Sequence, residues 1–124
     1  MQHRFYADER ILHLDLNSGV TAQRALAQAI PLLEGQPDLW SWDWVIDTRA
    51  VPTDASVCQI ARLAELFRKP EAPVVTAFAT DDRFLHLWAR VMDFQFPGRK
   101  HLIVSSAAAG FRLINTRRAS TKMN

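Results

Sequence analysis

The sequence predicts an α/β domain: a mostly parallel sheet of about five strands, with one antiparallel edge strand and four helices. Three observations predict it. Short β-type runs alternate with helix-length amphipathic stretches in the order β-β-α-β-α-β-α-β-α, which requires crossover connections. Val74–Ala79 (VVTAFA) is continuously apolar, as a strand covered on both faces should be. Two strands at the start are separated only by Asp8-Glu9, a hairpin-type turn that supplies the antiparallel edge.

The elements follow in order. Arg4–Ala7 and Arg10–Asn17 read as the opening strands. Leu12, Leu14 and Leu16 share one face of the second and Ile11, His13 and Asp15 the other, so one wet side is expected. Asn17-Ser18-Gly19 turns the chain, and Thr21 caps a helix over Ala22–Glu34 that Gly35 stops. Pro31 removes one bond of that helix and predicts a kink or an early end. Gln36–Ser41 reads as a loop and Trp42–Ile46 as the third strand. The second helix is expected over Thr53–Lys69 with Val57, Ile60, Leu63, Ala64 and Phe67 inward; Pro70 ends it. After Val74–Ala79, Thr80-Asp81-Asp82 suits the N-terminus of a third helix from about Arg83 to Phe96, closed by Pro97-Gly98. His101–Ser105 is the last strand. Ser106 caps a final helix over Ala107–Asn115, and the polar residues after Thr116 are expected to fray.

The 124 residues suit one domain, 1–116, followed by a flexible basic tail, 117–124. Net charge is +2, but Arg117, Arg118 and Lys122 lie in that tail. Setting them aside leaves 12 of the 15 basic groups against 13 acidic ones. The body is close to neutral, which argues against a nucleic-acid surface. Cys58 is the sole cysteine, so no internal disulfide can form. No apolar run approaches the ~20 residues of a membrane span, and MQHRFYADER lacks the apolar core of a signal peptide. A cytoplasmic protein without a membrane span is expected.

Trp42–Ser56 (WDWVIDTRAVPTDAS) organises the chain: a strand ends on Asp47, Thr48 and Arg49, and a helix opens after a short loop. This strand ending in VIDTR, with the element order, resembles the STAS superfamily of anti-sigma factor antagonists and sulfate-transporter C-terminal domains. Its nearest likeness is the uncharacterised bacterial SpoIIAA-like branch. The resemblance covers roughly residues 3–116. It implies that Asp47 is the strand-end aspartate. It also implies that Asp54-Ala55-Ser56 stands where antagonists carry a phosphorylated serine, which makes Ser56 the candidate phosphoacceptor and Thr53 the second. Val57-Cys58 stands where that motif continues Gly-Leu. Read from the residues alone, Thr53, Asp54 and Ser56 are helix-capping types.

Little reactive machinery is written here. The strand ends form a polar crown of Asp47, Thr48, Arg49, Asp81, Asp82 and Ser105, suited to a small polar ligand or to capping. Arg49 is the member that capping does not require, and it could pair with Asp47, Asp81 or an outside anion. No glycine-rich phosphate loop or G-x-S-x-G elbow occurs, and His3, His13, His86 and His101 lack zinc-ligand spacing. Neither a metal nor a cofactor is expected, nor catalysis.

The third helix is over-supplied with apolar residues. Stepping 100° per residue, Phe84, Leu85, Leu87, Trp88, Ala89, Val91, Met92, Phe94 and Phe96 span roughly 220°, against ~100° or somewhat more needed on one sheet. Only His86, Arg90 and Asp93 form a polar strip. A neighbouring helix, a second subunit or protein partner, or a small apolar ligand could cover the surplus, with Phe84, Trp88, Met92, Phe94 and Phe96 as the candidate contacts. The expectation is a non-enzymatic, STAS-like regulatory or protein-interaction module, homodimeric through this helix. The alternative is a carrier or sensor of an apolar or amphipathic ligand held between residues 83–96 and the sheet.

Overall fold

A computed structural model describes residues 2–16, 22–48, 57–81 and 84–122. Its elements are β1 (Gln2–Tyr6), β2 (Ile11–Asp15), α1 (Ala22–Gly35), a 3-10 helix (Pro37–Ser41), β3 (Asp43–Asp47), α2 (Val57–Ala64), β4 (Val74–Ala79), α3 (Phe84–Gln95), β5 (Arg99–Val104) and α4 (Ala107–Lys122). The expected order stands, and so do the antiparallel β1–β2 pair and the parallel pairing of β2 to β5.

Several boundaries move for physical reasons. The hairpin turn takes four residues, with Glu9 N–H donating to the Tyr6 carbonyl and Arg10 in the left-handed region at φ 55°. Helix α1 runs through Pro31 to Gly35 and does not end early. The expected loop at 36–41 is mostly a 3-10 helix opened by Pro37. Helix α2 stops at Ala64, where Leu66 and Phe67 switch to bonds three residues back, on the Leu63 and Ala64 carbonyls. Its proposed opening, with Thr53 and Ser56, lies outside the described residues. Strand β5 begins at Arg99, directly after the Pro97-Gly98 turn, where Gly98 adopts φ +90°. Helix α4 continues past Thr116 to Lys122, so Arg117 and Arg118 are helical.

Sheet order equals chain order, β1-β2-β3-β4-β5. Each crossover therefore steps one strand in the same direction. Right-handed crossovers then put α1, α2 and α3 on one face. The core on that face joins Leu12, Leu14, Leu16, Trp42 and Trp44 of the β2 and β3 segments to Ala25, Leu33, Leu39, Trp40, Met92 and Phe96. Helix α4 follows the last strand and, among the described helices, is the one that covers the opposite face, over Ile11 and Val45. That face of β2 is accordingly not wet: Ile11 is fully buried, and the His13 ring meets Phe111 edge-on at 5.5 Å. Gly110 lets α4 approach, since a Cβ there would lie 3.2 Å from Val45 Cγ1 and 3.3 Å from the Ala77 Cβ.

The N-terminal ends of the parallel strands are tied by a buried charge network. Arg99 is 2% exposed. Its Nη2 donates to the Trp40 and Trp42 carbonyls at 2.8 and 2.6 Å, and its Nη1 to Thr76 Oγ1 at 3.0 Å. The guanidinium carbon lies 3.9 Å from the Trp44 ring centroid. Burial pushes the group down to about 9, with the Asp43 charge opposing, so it remains a cation at neutral pH. Asp43 accepts from Val75 N–H at 2.7 Å and from Arg118 Nε at 2.9 Å. Arg118 also donates to the Glu9 and Arg10 carbonyls, fastening α4 to the hairpin.

Candidate functional site

At the carboxyl ends of the strands the crown is only partly gathered. Asp47 is buried, in register with Asp15 and Ala79, and is engaged rather than free. Thr48 donates through both N–H and Oγ1 to the Ala79 carbonyl, at 2.9 and 3.3 Å, which prolongs the β3–β4 ladder. Asp81 and Ser105 are exposed. Arg49 and Asp82 lie outside the described residues. The monotonic strand order also gives β2 to β5 no reversal point, the place where open α/β sheets form their ligand crevice. Among the described residues, no group of three or more His, Cys, Asp or Glu is placed to hold a metal ion.

A second polar cluster sits where α3 meets the outer edge of β5. The backbone N–H of His101 donates to Asp93 Oδ1 at 2.7 Å, and its Nδ1 lies 3.0 Å from the same oxygen. A carboxylate only accepts, so the neutral ring carries its proton on Nδ1. Arg90 Nη2 donates to the His101 carbonyl at 3.3 Å. Lys100 Nζ stands 3.1 Å from Asp93 and Arg90 Nε 3.8 Å. Burial tends to raise Asp93, but the bonds from His101 and Lys100 outweigh it and hold the carboxyl below its usual range. Burial drives His101 down to about 4 despite Asp93. The rings of Phe78 and Phe96 flank the imidazole at 6.1 and 5.8 Å. This arrangement braces α3 and closes one stretch of a strand edge that would otherwise invite pairing. Two members of the polar strip foreseen on the third helix, Arg90 and Asp93, have this work.

The apolar surplus of α3 divides cleanly. Ala89, Met92 and Phe96 are buried; Phe96 stacks on Trp40 at 5.7 Å and meets Phe67 edge-on at 5.5 Å. Trp88 is half-buried against the same cluster. Met92 and Phe96 are thus core residues, a correction to their expected place in an interface, and the side chain of Phe84 lies outside the described residues. Phe94 is 84% exposed, joined by Leu87 at 67% and Val91 at 39%. These three repeat at i, i+4 and i+7, so they form one stripe, with Leu87 and Phe94 opposite the buried residues.

No protein-family model matches this chain, and neither the curated proteins nor the solved structures compared with it give a match. The site must be read from its own chemistry. A stripe of exposed aliphatic and aromatic side chains offers no acid, base or nucleophile; it offers apolar area for another surface to cover. No helix among the described residues is long and apolar enough to cross a membrane. Sequence reasoning found the excess on α3 and named Phe94, but missed Leu87 and Val91 as its exposed companions. The 100° periodicity held the missing signal, because 87, 91 and 94 fall together opposite 89, 92 and 96.

Proposed function

We propose that this protein is a non-enzymatic protein-interaction module, STAS-like in layout, that docks a protein partner on the outer face of α3. The observation that carries the reading is the exposure of Leu87, Val91 and Phe94 in one stripe. Isolated exposed apolar residues are ordinary, but a row of three along one helix face is the pattern of helix-mediated recognition. The alternative of a ligand carried between α3 and the sheet has less support. The inner face of α3 is already filled by Met92 and Phe96, packed with Trp40, Trp44 and Phe67. Regulation through Ser56 is a separate element of the STAS-like proposal. Equal labelling of wild type and Ser56→Ala by a cognate kinase would remove it.

The decisive experiment compares the full chain with the double variant Leu87→Ser/Phe94→Ser as baits in extracts of the cells that make it. Thermal unfolding checks that both are folded. The expected result is a protein retained by the wild type and lost by the variant. Identical retention by both baits would sink the reading.

A further inference from the structure

We infer that the free edge of β1 pairs with the same edge of a second copy of this chain, antiparallel about a two-fold axis through Phe5, so that two five-stranded sheets join into one. This surface is at the other end of the sheet from β5, where α3 is braced, and it stands whether or not α3 docks a partner.

Which main-chain groups β1 leaves free follows from its neighbours. Asp43 N–H donates to the Arg10 carbonyl and Leu16 N–H to the Asp47 carbonyl, so the even-numbered residues around β2 turn their main chain toward β3. Ile11, His13 and Asp15 therefore turn theirs toward β1, where they stand opposite Tyr6, Arg4 and Gln2. That leaves the N–H and C=O groups of His3 and Phe5 pointing out of the sheet. Among the described residues no hydrogen bond reaches them. The β5 edge differs, because Asp93 and Arg90 occupy the His101 N–H and carbonyl. Strand β1 also carries no proline, and its register with β2 is unbroken by a bulge, so two of the usual devices that blunt an edge are missing.

The side chains select a second copy and fix the register. Arg4 is the cation that would guard this edge, yet it leans along its own strand, with Cζ 6.0 Å from the Tyr6 ring centroid and Nη1 3.4 Å from the Tyr6 hydroxyl. Cation and ring two positions apart are what a two-fold axis midway between them, at Phe5, converts into two reciprocal pairs. Arg4 of each copy then stands opposite Tyr6 of the other, in the non-hydrogen-bonded pairs whose side chains come closest, and Phe5 stands opposite Phe5. The edge thereby offers its copy the aromatic face that Arg4 already takes in its own strand. An axis through Arg4 would instead set two guanidinium groups against each other. Main-chain bonds supply the affinity, as in other strand additions. Five residues a side make a short contact, smaller than the ~800 Å² per partner of a stable dimer, so the association is a weak one.

Sedimentation velocity on the full chain should show a reversible monomer–dimer equilibrium with a dissociation constant on the order of 10–100 µM. Phe5→Pro and His3→Pro remove N–H groups that the β1–β2 ladder does not use, so thermal unfolding should find both folded and sedimentation should find both monomeric. His3 is exposed, so its variant serves even where loss of the Phe5 ring costs stability. Cross-linking in a Cys58→Ser background tests the axis. Residues of a hydrogen-bonded pair have Cα atoms about 5.5 Å apart, within disulfide reach, so Phe5→Cys should form a covalent dimer under a mild oxidant. Arg4→Cys, offset by two positions from its equivalent, should not. A chain that stays monomeric into the millimolar range, a dimer that persists in folded His3→Pro, or cross-linking of Arg4→Cys in place of Phe5→Cys would overturn the inference. A dimer lost in Leu87→Ser/Phe94→Ser and kept in His3→Pro would overturn it too, and would assign self-association to α3.

Discussion

The N-terminal ends of the parallel strands and the outer face of α3 are opposite kinds of surface. At the strand ends, a cation that ordinarily belongs in water is enclosed, and four of its five hydrogen-bond directions are engaged by carbonyls and a hydroxyl. On α3, side chains that ordinarily belong inside face water. Both break the usual partition of polar and apolar groups, but only the first has its compensation within the chain. A buried arginine surrounded by acceptors is explained by folding alone. Among the described residues nothing covers the stripe of Leu87, Val91 and Phe94, so the search for activity belongs there.

The largest effect should come from breaking the first region. Arg99→Ala would strand the Trp40 and Trp42 carbonyls and leave Asp43 short of a nearby positive charge. Removing one member of a buried charge network costs about 3–5 kcal/mol, a large share of the stability of a domain this size. Urea unfolding should show the midpoint collapse. A loss below about 1 kcal/mol would mean the network is decorative, and the contrast with α3 would fail.

Next in size is a dependence on pH at the brace between α3 and β5. His101 is held near 4, against an ordinary value of 6.5. A depressed histidine binds its proton more readily when unfolded, so stability is full above about pH 6.5 and falls as pH drops toward 4. The displacement corresponds to about 3 kcal/mol lost across that window. Asp93, also held low, contributes in the same direction only at more acid pH. Stability curves measured from pH 7 to pH 4 should steepen in the wild type and flatten in His101→Phe. Parallel curves would show that the imidazole is not the titrating group.

How much of this could be read from the chain depends on the range of the interaction that decides each feature. Strand β4 was legible to the residue because VVTAFA is bounded by Pro73 and Thr80 and needs no distant information. Arg99 was not. A charged residue after Pro-Gly reads as loop, and its burial depends on Trp40 and Trp42, more than fifty positions away. The end of α4 was missed for the same reason: Asn115-Thr116-Arg117-Arg118 is locally polar, yet Arg118 is bound to Asp43, 75 positions earlier. On α3 the excess was legible from composition. Which residues it left outside depended on how Ala89, Met92 and Phe96 rotate the helix onto its neighbours. Of the strand-end crown, Arg49 and Asp82 lie beyond the described residues, as does the Thr53–Ser56 opening.

A third prediction concerns α4, which covers the other face. Gly110 sits where a Cβ would already press Val45 and Ala77. Gly110→Leu should force α4 off the sheet and destabilise by about 2 kcal/mol, as overpacking does. Arg118 would then lose its aim at Asp43, so Gly110→Leu and Arg118→Ala should be less than additive in a double-mutant cycle. Additive losses would mean that the two anchor α4 independently.

The smallest expected change in stability carries the most weight for function. Phe94 exposes most of its ring, so Phe94→Ser removes almost no buried area and should alter unfolding free energy by no more than about 0.5 kcal/mol. Its neighbour in composition, Phe96, is buried among Trp40, Phe67 and His101, and Phe96→Ala should cost about 3–5 kcal/mol. The two phenylalanines share a helix, so measuring both under the same conditions isolates burial as the variable. If Phe94→Ser destabilised the isolated chain as Phe96→Ala does, the stripe would be part of the fold, and no partner would be needed to account for it. If it leaves folding untouched, the ring is kept for something outside the chain, and a selective loss of partner binding in that variant would follow directly.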